Sequence, residues 1–299
     1  MDSLLLLCVC FLLGIVLGRT GRFPAEAPAT LNAFIINISL PALALVHIHE
    51  LQLNAGLILP AIAPWILFFG AALIIPPIGR RMGLPERTIG CLVLMAGLGN
   101  TSFVGIPMIQ AFYGREAIGT GMLVDQLGSF LALATVGLVT AARYSGGEIG
   151  GRATMARVFR FVPFWGMVAG FVLMPVTFPE PLVLFLQKLG DTLTPLALVS
   201  VGLQLRPGER KGKGGALAVG LLWKMLVAPL LILLLFALMP GTWGITQRVS
   251  IFEIAMPPMI TAGIIAIEHD LDPQLAMLML GVGIPLSFIT LPVWWYLMR

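Results

Sequence analysis

The chain has 299 residues, of which 58% are hydrophobic and 11% are charged, with a net charge of +4. Soluble domains carry roughly one quarter charged residues, so this composition excludes a soluble globular protein and indicates an integral membrane protein. Nearly all of the charge lies in loops, and the sequence has no basic stripe with interleaved aromatic residues that would indicate a nucleic-acid partner. The three cysteines lie in apolar stretches, so neither a disulfide framework nor a metal site is predicted, and no cofactor is expected.

Apolar stretches long enough to cross a bilayer recur along the whole chain. A membrane-spanning helix needs about 20 mostly apolar residues. The sequence therefore predicts an all-α polytopic membrane protein with ten transmembrane helices, which cover residues 3–18, 31–48, 55–78, 88–112, 116–142, 157–175, 181–204, 215–239, 246–267 and 273–298. The first has no Lys or Arg before its apolar part, whereas Arg19 and Arg22 follow it. This is the reverse of a secretory signal peptide, so we expect a retained span.

The loops differ in charge on the two sides of the membrane. Those after predicted spans 1, 3, 5, 7 and 9 hold 13 Lys and Arg residues, whereas the loops on the other side hold only Arg115, Lys188 and Arg248. Because basic loops stay in the cytoplasm, we expect an inner (plasma) membrane protein with both termini outside the cytoplasm. The acidic loop Glu268–Asp272 lies on the basic side, but acidic residues weigh little in this rule.

Ten spans divide into five plus five. Since five is odd, a duplicated unit would be inserted in the opposite orientation. We therefore predict a first five-helix repeat at residues 1–142, a cytoplasmic linker at 143–156 and a second, inverted repeat at 157–299. Three pairs of similar positions support the duplication: Pro41 and Pro195, Pro107 and Pro258, and Ser129 and Ser287.

Two of the predicted spans contain prolines at their centre. The sequence Pro107-Met108-Ile109 of span 4 recurs as Pro258-Met259-Ile260 in span 9. Proline interrupts a helix because it lacks an N–H donor, and a bilayer tolerates the interruption only where the freed backbone is buried in protein or lines a cavity. At 1.5 Å per residue, Asn100 and Pro257 each lie ~17 Å along their spans, near the middle of a ~30 Å core. We expect span 4 to break within 98–105, with Pro107 in the first turn of its second half.

A half-helix that starts inside the membrane presents unpaired N–H groups and a partial positive charge. Two such starts would favour a carboxylate without a permanent cation. The predicted substrate-binding residues are those at the two breaks and one polar residue of span 2: Asn100, Thr101, Ser102, Gly105, Pro107, Pro257, Pro258 and Asn37. The alternatives are that Asn100 only satisfies freed backbone groups and that the prolines only kink packed helices.

Three ionisable residues lie inside predicted spans, where each is a functional candidate by default. Asp125, Glu253 and Lys224 lie ~11–14 Å from the ends of their spans, and we predict that they couple ion movement to transport. An ion pair between Lys224 and Glu253 is geometrically possible. The alternative to a coupling role is that this pair is purely structural. Asp125 has no obvious cationic partner, so it is the better candidate for carrying a proton; its alternative is a solvated helix face. Lesser candidates are Asp191, Thr192 and Gln204.

The same stretches resemble the auxin efflux carrier family of plant and bacterial transporters. The matching segments are Leu40-Pro41-Ala42-Leu43, Asn100-Thr101-Ser102-Phe103-Val104-Gly105-Ile106-Pro107, Tyr113-Gly114, Thr194-Pro195-Leu196-Ala197-Leu198 with Gly202, Lys224 with Pro229, and Ala255-Met256-Pro257. The resemblance covers essentially the whole chain.

The resemblance implies ten helices in two inverted repeats, with broken helices 4 and 9 crossing as in bile-acid sodium symporters. It also implies a panel of helices 1, 2, 6 and 7 against which the other six move. Family members carry organic anions, including auxin in plants and small dicarboxylates such as malate or malonate in bacteria. This chain differs in its short central loop and in having two prolines, Pro257 and Pro258, where one is usual.

From these features we predict a secondary active transporter of small organic anions, mono- or dicarboxylates, that works by alternating access and is coupled to protons. Sodium coupling is the alternative. An intramembrane enzyme or a channel is the less favoured class, because no nucleophile elbow or metalloprotease helix motif is present. The sequence contains no nucleotide-binding loop motif, so ATP-driven transport by this chain is not predicted. The expected partners are the anion, the coupling ion and the lipid bilayer, and a homodimer is left open.

Overall fold

The computed structural model describes residues 2–24, 26–51, 55–146, 159, 162–204, 212–238 and 243–299. This part of the chain is helical and contains no β-strand, which confirms the all-α class. Its helices are α1 Asp2–Thr20, α2 Ala27–His49, α3 Ile58–Arg81, α4 Glu86–Gly97, α5 Ile106–Tyr113, α6 Arg115–Ser145, α7 Val162–Val172, α8 Glu180–Gln204, α9 Gly214–Leu238, α10 Ile245–Ile254, α11 Ile260–Glu268 and α12 Pro273–Leu297. Most of the predicted linker 143–156 lies outside the described residues.

Six of these helices, α2, α3, α6, α8, α9 and α12, are long and apolar enough to cross a membrane. Two further apolar stretches, Leu5–Thr20 of α1 and all of α7, are shorter. The helices turn large apolar side chains outward, such as Leu73 at 76% exposure and Leu238 at 84%. A surface of this kind suits lipid and not water, so the chain is a multi-pass membrane protein. The count of ten spans stays a prediction.

Both predicted helix breaks are confirmed. Helix α4 ends at Gly97, and Leu98 is extended; one π-helical turn, Thr101–Gly105, then leads into α5. Pro107 lies in the first turn of α5, where its missing N–H costs no hydrogen bond. In the second break, α10 ends at Ile254 and α11 begins only at Ile260.

Helices α1, α2, α7 and α8 form one packed group, which we call the panel. Helix α1 packs on the second half of α8, and α7 packs on the second half of α2. Glycines permit both contacts: a Cβ atom on Gly14 would lie 2.4 Å from the Val199 carbonyl oxygen, and one on Gly166 would lie 2.7 Å from the Pro41 carbonyl oxygen. Small residues let membrane helices approach closely in this way. The remaining helices, α3–α6 and α9–α12, form the core bundle.

The acidic loop before α12 has a structural role at the end of the core bundle that carries Arg80, Arg87 and Lys213, the basic end. Asp272 caps α12, because its Oδ1 accepts a hydrogen bond of 3.1 Å from the Leu275 N–H. Its Oδ2 accepts from Thr88 Oγ1 at 2.7 Å and from Lys213 Nζ at 2.5 Å. The Asp272 carboxylate thereby ties together the starts of α4, α9 and α12.

We expect Asp272→Asn to lower stability in a pH-dependent way. Burial alone raises the pKa of Asp272, but the hydrogen bonds from Lys213, Thr88 and the Leu275 amide outweigh burial and hold the pKa below its ordinary value. The contribution of the carboxylate is therefore complete above pH about 4 and is lost as the pH falls through the lowered native pKa. At pH 7 the loss should be about 1–3 kcal/mol, the typical value of hydrogen bonds to a charged group.

Thermal unfolding of detergent-solubilised protein at pH 7 and at decreasing pH measures this effect. The matched control is Glu86→Gln, which removes the exposed Arg80–Glu86 ion pair and should change stability little. Equal unfolding temperatures of wild type and Asp272→Asn at pH 7 would contradict the prediction.

Candidate functional site

The two helix breaks meet each other inside the core bundle. The Asn100 N–H donates to the Pro257 carbonyl oxygen at 2.8 Å, and the Met259 N–H donates to the Leu98 carbonyl oxygen at 3.1 Å. The two interruptions thus run antiparallel and pair like a minimal piece of sheet. Backbone groups that leave a helix inside an apolar interior need such partners, so each break satisfies the other. We call this paired region the crossing.

Asn100 and the prolines have distinct positions at the crossing. Asn100 is 2% exposed, and its Oδ1 caps the following turn by accepting from the Phe103 N–H at 3.2 Å. Its Nδ2 has no hydrogen-bond partner among the described residues. Pro257 supplies the carbonyl that pairs with Asn100, and Pro258 faces Gly99 across the bridge. Asn100 therefore satisfies the broken backbone and also keeps an unpaired amide donor.

Most of the predicted site residues lie in π-helical segments. Thr101, Ser102 and Gly105 belong to the π turn before α5. The other segments are Ile35–Ser39 of α2 with Asn37, Val124–Phe130 of α6 with Asp125, and Trp223–Val227 of α9 with Lys224. π-Helical insertions are rare and frequently occur at functional sites. In α9 the Met225 carbonyl accepts from Trp294 Nε1 at 2.9 Å, which fixes this segment against α12.

Asp125 contacts the start of the second half of the broken helix. Its side chain is 1% exposed; Oδ1 accepts from Thr101 Oγ1 at 2.5 Å and also from Ser102 Oγ. Its Oδ2 accepts from Gln126 Nε2 at 2.7 Å. The alternative that Asp125 lies on a solvated helix face is wrong, because neighbouring helices cover it. The sequence analysis did not predict a role for Gln126. The only indication in the sequence was an amide side chain next to the predicted buried carboxyl of Asp125.

Glu253 is fully buried on α10, and neither of its carboxyl oxygens has a hydrogen-bond partner in the described structure. The oxygens face two glycines: a Cβ on Gly105 would lie 2.5 Å from Oε2, and one on Gly121 would lie 3.3 Å from Oε1. Glu253 interacts electrostatically with both Asp125 and Lys224. The three predicted coupling residues therefore share one buried region beside the crossing.

The possible Lys224–Glu253 ion pair is not formed. No ion pair within 4.0 Å includes Lys224 among the described residues. Its Nζ instead donates to the Ile254 carbonyl oxygen at 2.5 Å. The reason is the place where α10 ends. Ile254 is the last residue of the helix, so its carbonyl has no N–H partner within the helix and accepts from Lys224 of α9 instead.

A cavity of about 410 Å³ lies between the panel and the core bundle. Its polar lining comes from Asn32 and Gln204 of the panel, and its apolar lining includes Ile260 and Ile264 of α11. Ile260 is the first residue of α11, so the cavity reaches the start of this half-helix. Its lining includes none of the predicted substrate-binding residues: those of the first break, Pro257 and Pro258 of the second break, and Asn37 are all absent from it.

Asn37 is not brought to the crossing. Its side chain is exposed, and Nδ2 donates to the Ala33 carbonyl oxygen of its own helix at 2.8 Å. Asn32, which sequence reasoning did not identify, lines the cavity instead. It accepts through Oδ1 from Ser200 Oγ at 2.6 Å, and Ser200 Oγ also lies 3.1 Å from Gln204 Nε2. The sequence does indicate this cluster, because Ser200 and Gln204 are polar residues about one helical turn apart in an apolar span.

The panel and the core bundle are also joined near the middle of α8, beside the end of α5 and the start of α6. Arg115 Nη2, at the start of α6, forms a 2.9 Å ion pair with Asp191 of α8, and both side chains are exposed. Thr194 Oγ1 donates to Gln110 Oε1 of α5 at 3.1 Å. The cavity thus lies beside the Gln204 end of α8, and polar links join the panel to the core bundle further along that helix, where α5 ends and α6 begins.

The chain is similar to known membrane transport proteins. A family model described as membrane transport protein matches residues 1–155 and 151–295. An uncharacterised transporter of Methanothermobacter thermautotrophicus is 28% identical over 298 residues, which cover 98% of this chain and 96% of the relative. An uncharacterised transporter of Methanocaldococcus jannaschii is 23% identical over 317 residues, covering 100% of this chain and 99% of the relative. The chain therefore belongs to the membrane transport proteins of the auxin efflux carrier family.

Proposed function

We propose that the protein is a secondary active transporter of small organic anions, coupled to protons and working by alternating access. The observation that carries the proposal is the crossing, where two interrupted helices pair beside three buried ionisable side chains. Interrupted helices at matching places in two halves of a transporter are the best indicator of its substrate site. A cavity at the Gln204 end of α8, with polar links where α5 ends and α6 begins, suits a state open to one side only.

The start of α11 supports an anionic substrate. Ile260 lines the cavity, and no side chain caps α11 at Met259. The first N–H groups of a helix have no partner within it and carry a partial positive charge, so a carboxylate is favoured there. Asn32 and Gln204 on the panel can bind the polar remainder of such a ligand. In the opposite state, the unpaired Asn100 amide is the corresponding donor on the other break.

Asp125 and Glu253 are the proposed proton-carrying groups. Both are buried carboxyls, they interact electrostatically, and neither has an ion-pair partner within 4.0 Å in the described structure. Two neighbouring carboxyls in an apolar region do not readily ionise together, since like charges disfavour it. Thr101 and Ser102 bond to Asp125, so a change in its protonation state acts directly on the broken helix.

The proposed topology is ten spans in two inverted repeats, at residues 1–142 and 157–299, with both termini outside the cytoplasm of the plasma membrane. The panel supports the duplication, because α1 on α8 and α7 on α2 are the reciprocal contacts that two copies of one unit would make. The basic end, with Arg80, Arg87 and Lys213, then faces the cytoplasm.

Substrate counterflow in proteoliposomes tests the proposal. Vesicles preloaded with an unlabelled mono- or dicarboxylate should take up the labelled acid severalfold faster than empty vesicles, because an alternating-access site returns loaded. Protein-free liposomes and the uncharged amide of the same acid are the controls. Equal uptake with and without preloading for every acid in the series would contradict a carrier, and equal uptake of acid and amide would contradict the choice of an anion.

A further inference from the structure

Lys224 is a cationic side chain in the middle of the core bundle. It is the only Lys or Arg that is buried among the described residues, and its exposure is 0%. The π-helical segment Trp223–Val227 of α9 carries it, and its Nζ donates to the Ile254 carbonyl oxygen at 2.5 Å. The charge thus lies at the point where α10 ends and the second break begins.

The oxygen atom that accepts a hydrogen bond from this ammonium is a backbone carbonyl. Ile254 is the last residue of α10, and the last carbonyls of a helix carry a partial negative charge that attracts cations. The other break closes the region from the opposite side: a Cβ on Gly99 would lie 3.1 Å from Lys224 Nζ and 3.4 Å from the Glu253 carbonyl oxygen. Gly99 therefore leaves the space that the ammonium fills, between both interrupted helices.

The facing charged groups are few. Glu253 on α10 interacts electrostatically with Lys224, but no carboxylate lies within 4.0 Å of its Nζ in the described structure. A lysine that served only to neutralise an acid would bond to that acid. Here it bonds to the Ile254 carbonyl at a half-helix end, and carbonyls of this kind are the groups with which broken-helix transporters bind sodium.

We infer that the Lys224 ammonium takes the place of a bound metal cation at the crossing, so that the crossing carries its own tethered positive charge and binds no sodium. The inference rests on the proposed function for its meaning in transport and decides between the proton and sodium alternatives. Removing the ammonium should leave a space beside the Ile254 and Glu253 backbone carbonyl oxygens, which are oxygen ligands suited to a hard cation.

The test compares the thermal unfolding of purified wild type, Lys224→Ser and Lys224→Arg over increasing NaCl, with choline chloride and KCl at equal ionic strength. Ligands that bind only the folded state raise its unfolding temperature in a saturable manner. Wild type and Lys224→Arg should unfold at the same temperature in all three salts. Lys224→Ser should gain a saturable rise in unfolding temperature that is specific for sodium.

A saturable, sodium-specific rise in the wild type would overturn the inference, as would a folded Lys224→Ser protein that responds equally to all three salts. If Lys224→Ser cannot be purified, the wild-type comparison decides alone: equal unfolding temperatures support the inference and a sodium-specific rise overturns it. The measurement needs neither substrate nor vesicles, so its failure and a failure of the counterflow assay are separate results.

Discussion

Asp125→Asn is expected to abolish proton-driven accumulation of substrate while leaving counterflow intact. The amide cannot exchange a proton in the working pH range, yet the site can hold it. The new carbonyl can still accept from Thr101 and Ser102, and Gln126 Oε1 has no hydrogen-bond partner in the described structure. A turn of the Gln126 amide would direct Oε1 toward the new NH₂ group, so the fold should be little changed.

The measurement is uptake into proteoliposomes across a pH difference of one unit, with the membrane potential clamped at zero. One proton per substrate would sustain about a tenfold concentration ratio in the wild type, because one pH unit corresponds to about 1.4 kcal/mol. The ratio should fall to about one in Asp125→Asn, because no proton accompanies the substrate in this variant. The matched control is Glu116→Gln, the same chemical change at an exposed carboxyl of α6. A variant that still accumulates substrate like the wild type would refute the role of Asp125.

Glu253→Met is expected to stabilise the protein and to stop transport. Both Glu253 oxygens are buried without hydrogen-bond partners, and burying such a group costs about 1–3 kcal/mol by the mutational scale. A methionine of similar length removes this cost and can adapt to the space beside Gly105 and Gly121. Functional sites commonly sacrifice stability in this way.

Thermal unfolding and counterflow of the same preparation check both halves of this prediction. Asp125→Leu is the opposite control: Thr101, Ser102 and Gln126 would lose their acceptor, so this variant should be destabilised. A Glu253→Met protein that is less stable than the wild type would show that its carboxyl has stabilising contacts in the membrane that outweigh its burial.

Local features of the sequence were enough to predict the membrane class and both helix breaks. Proline and glycine act on the backbone at their own positions, so the interruption near Pro257 and the place of Pro107 in a first turn needed no knowledge of distant residues. The burial of Asp125, Glu253 and Lys224 was likewise predictable, since each lies inside a long apolar stretch. The reciprocal panel contacts agree with the repeat but do not establish it.

Partners across the fold could not be predicted in the same way. Successive residues of a helix point about 100° apart, so a small rotation decides whether Lys224 meets the Glu253 side chain or the adjacent Ile254 carbonyl. The rotation of α2 likewise places Asn32 on the cavity and leaves Asn37 exposed. The amino-acid sequence by itself determined which segments enter the membrane, where two of them break and which charges go in with them. Only the packing of the helices decided which groups those charges contact, because side-chain direction depends on how each helix is rotated against its neighbours.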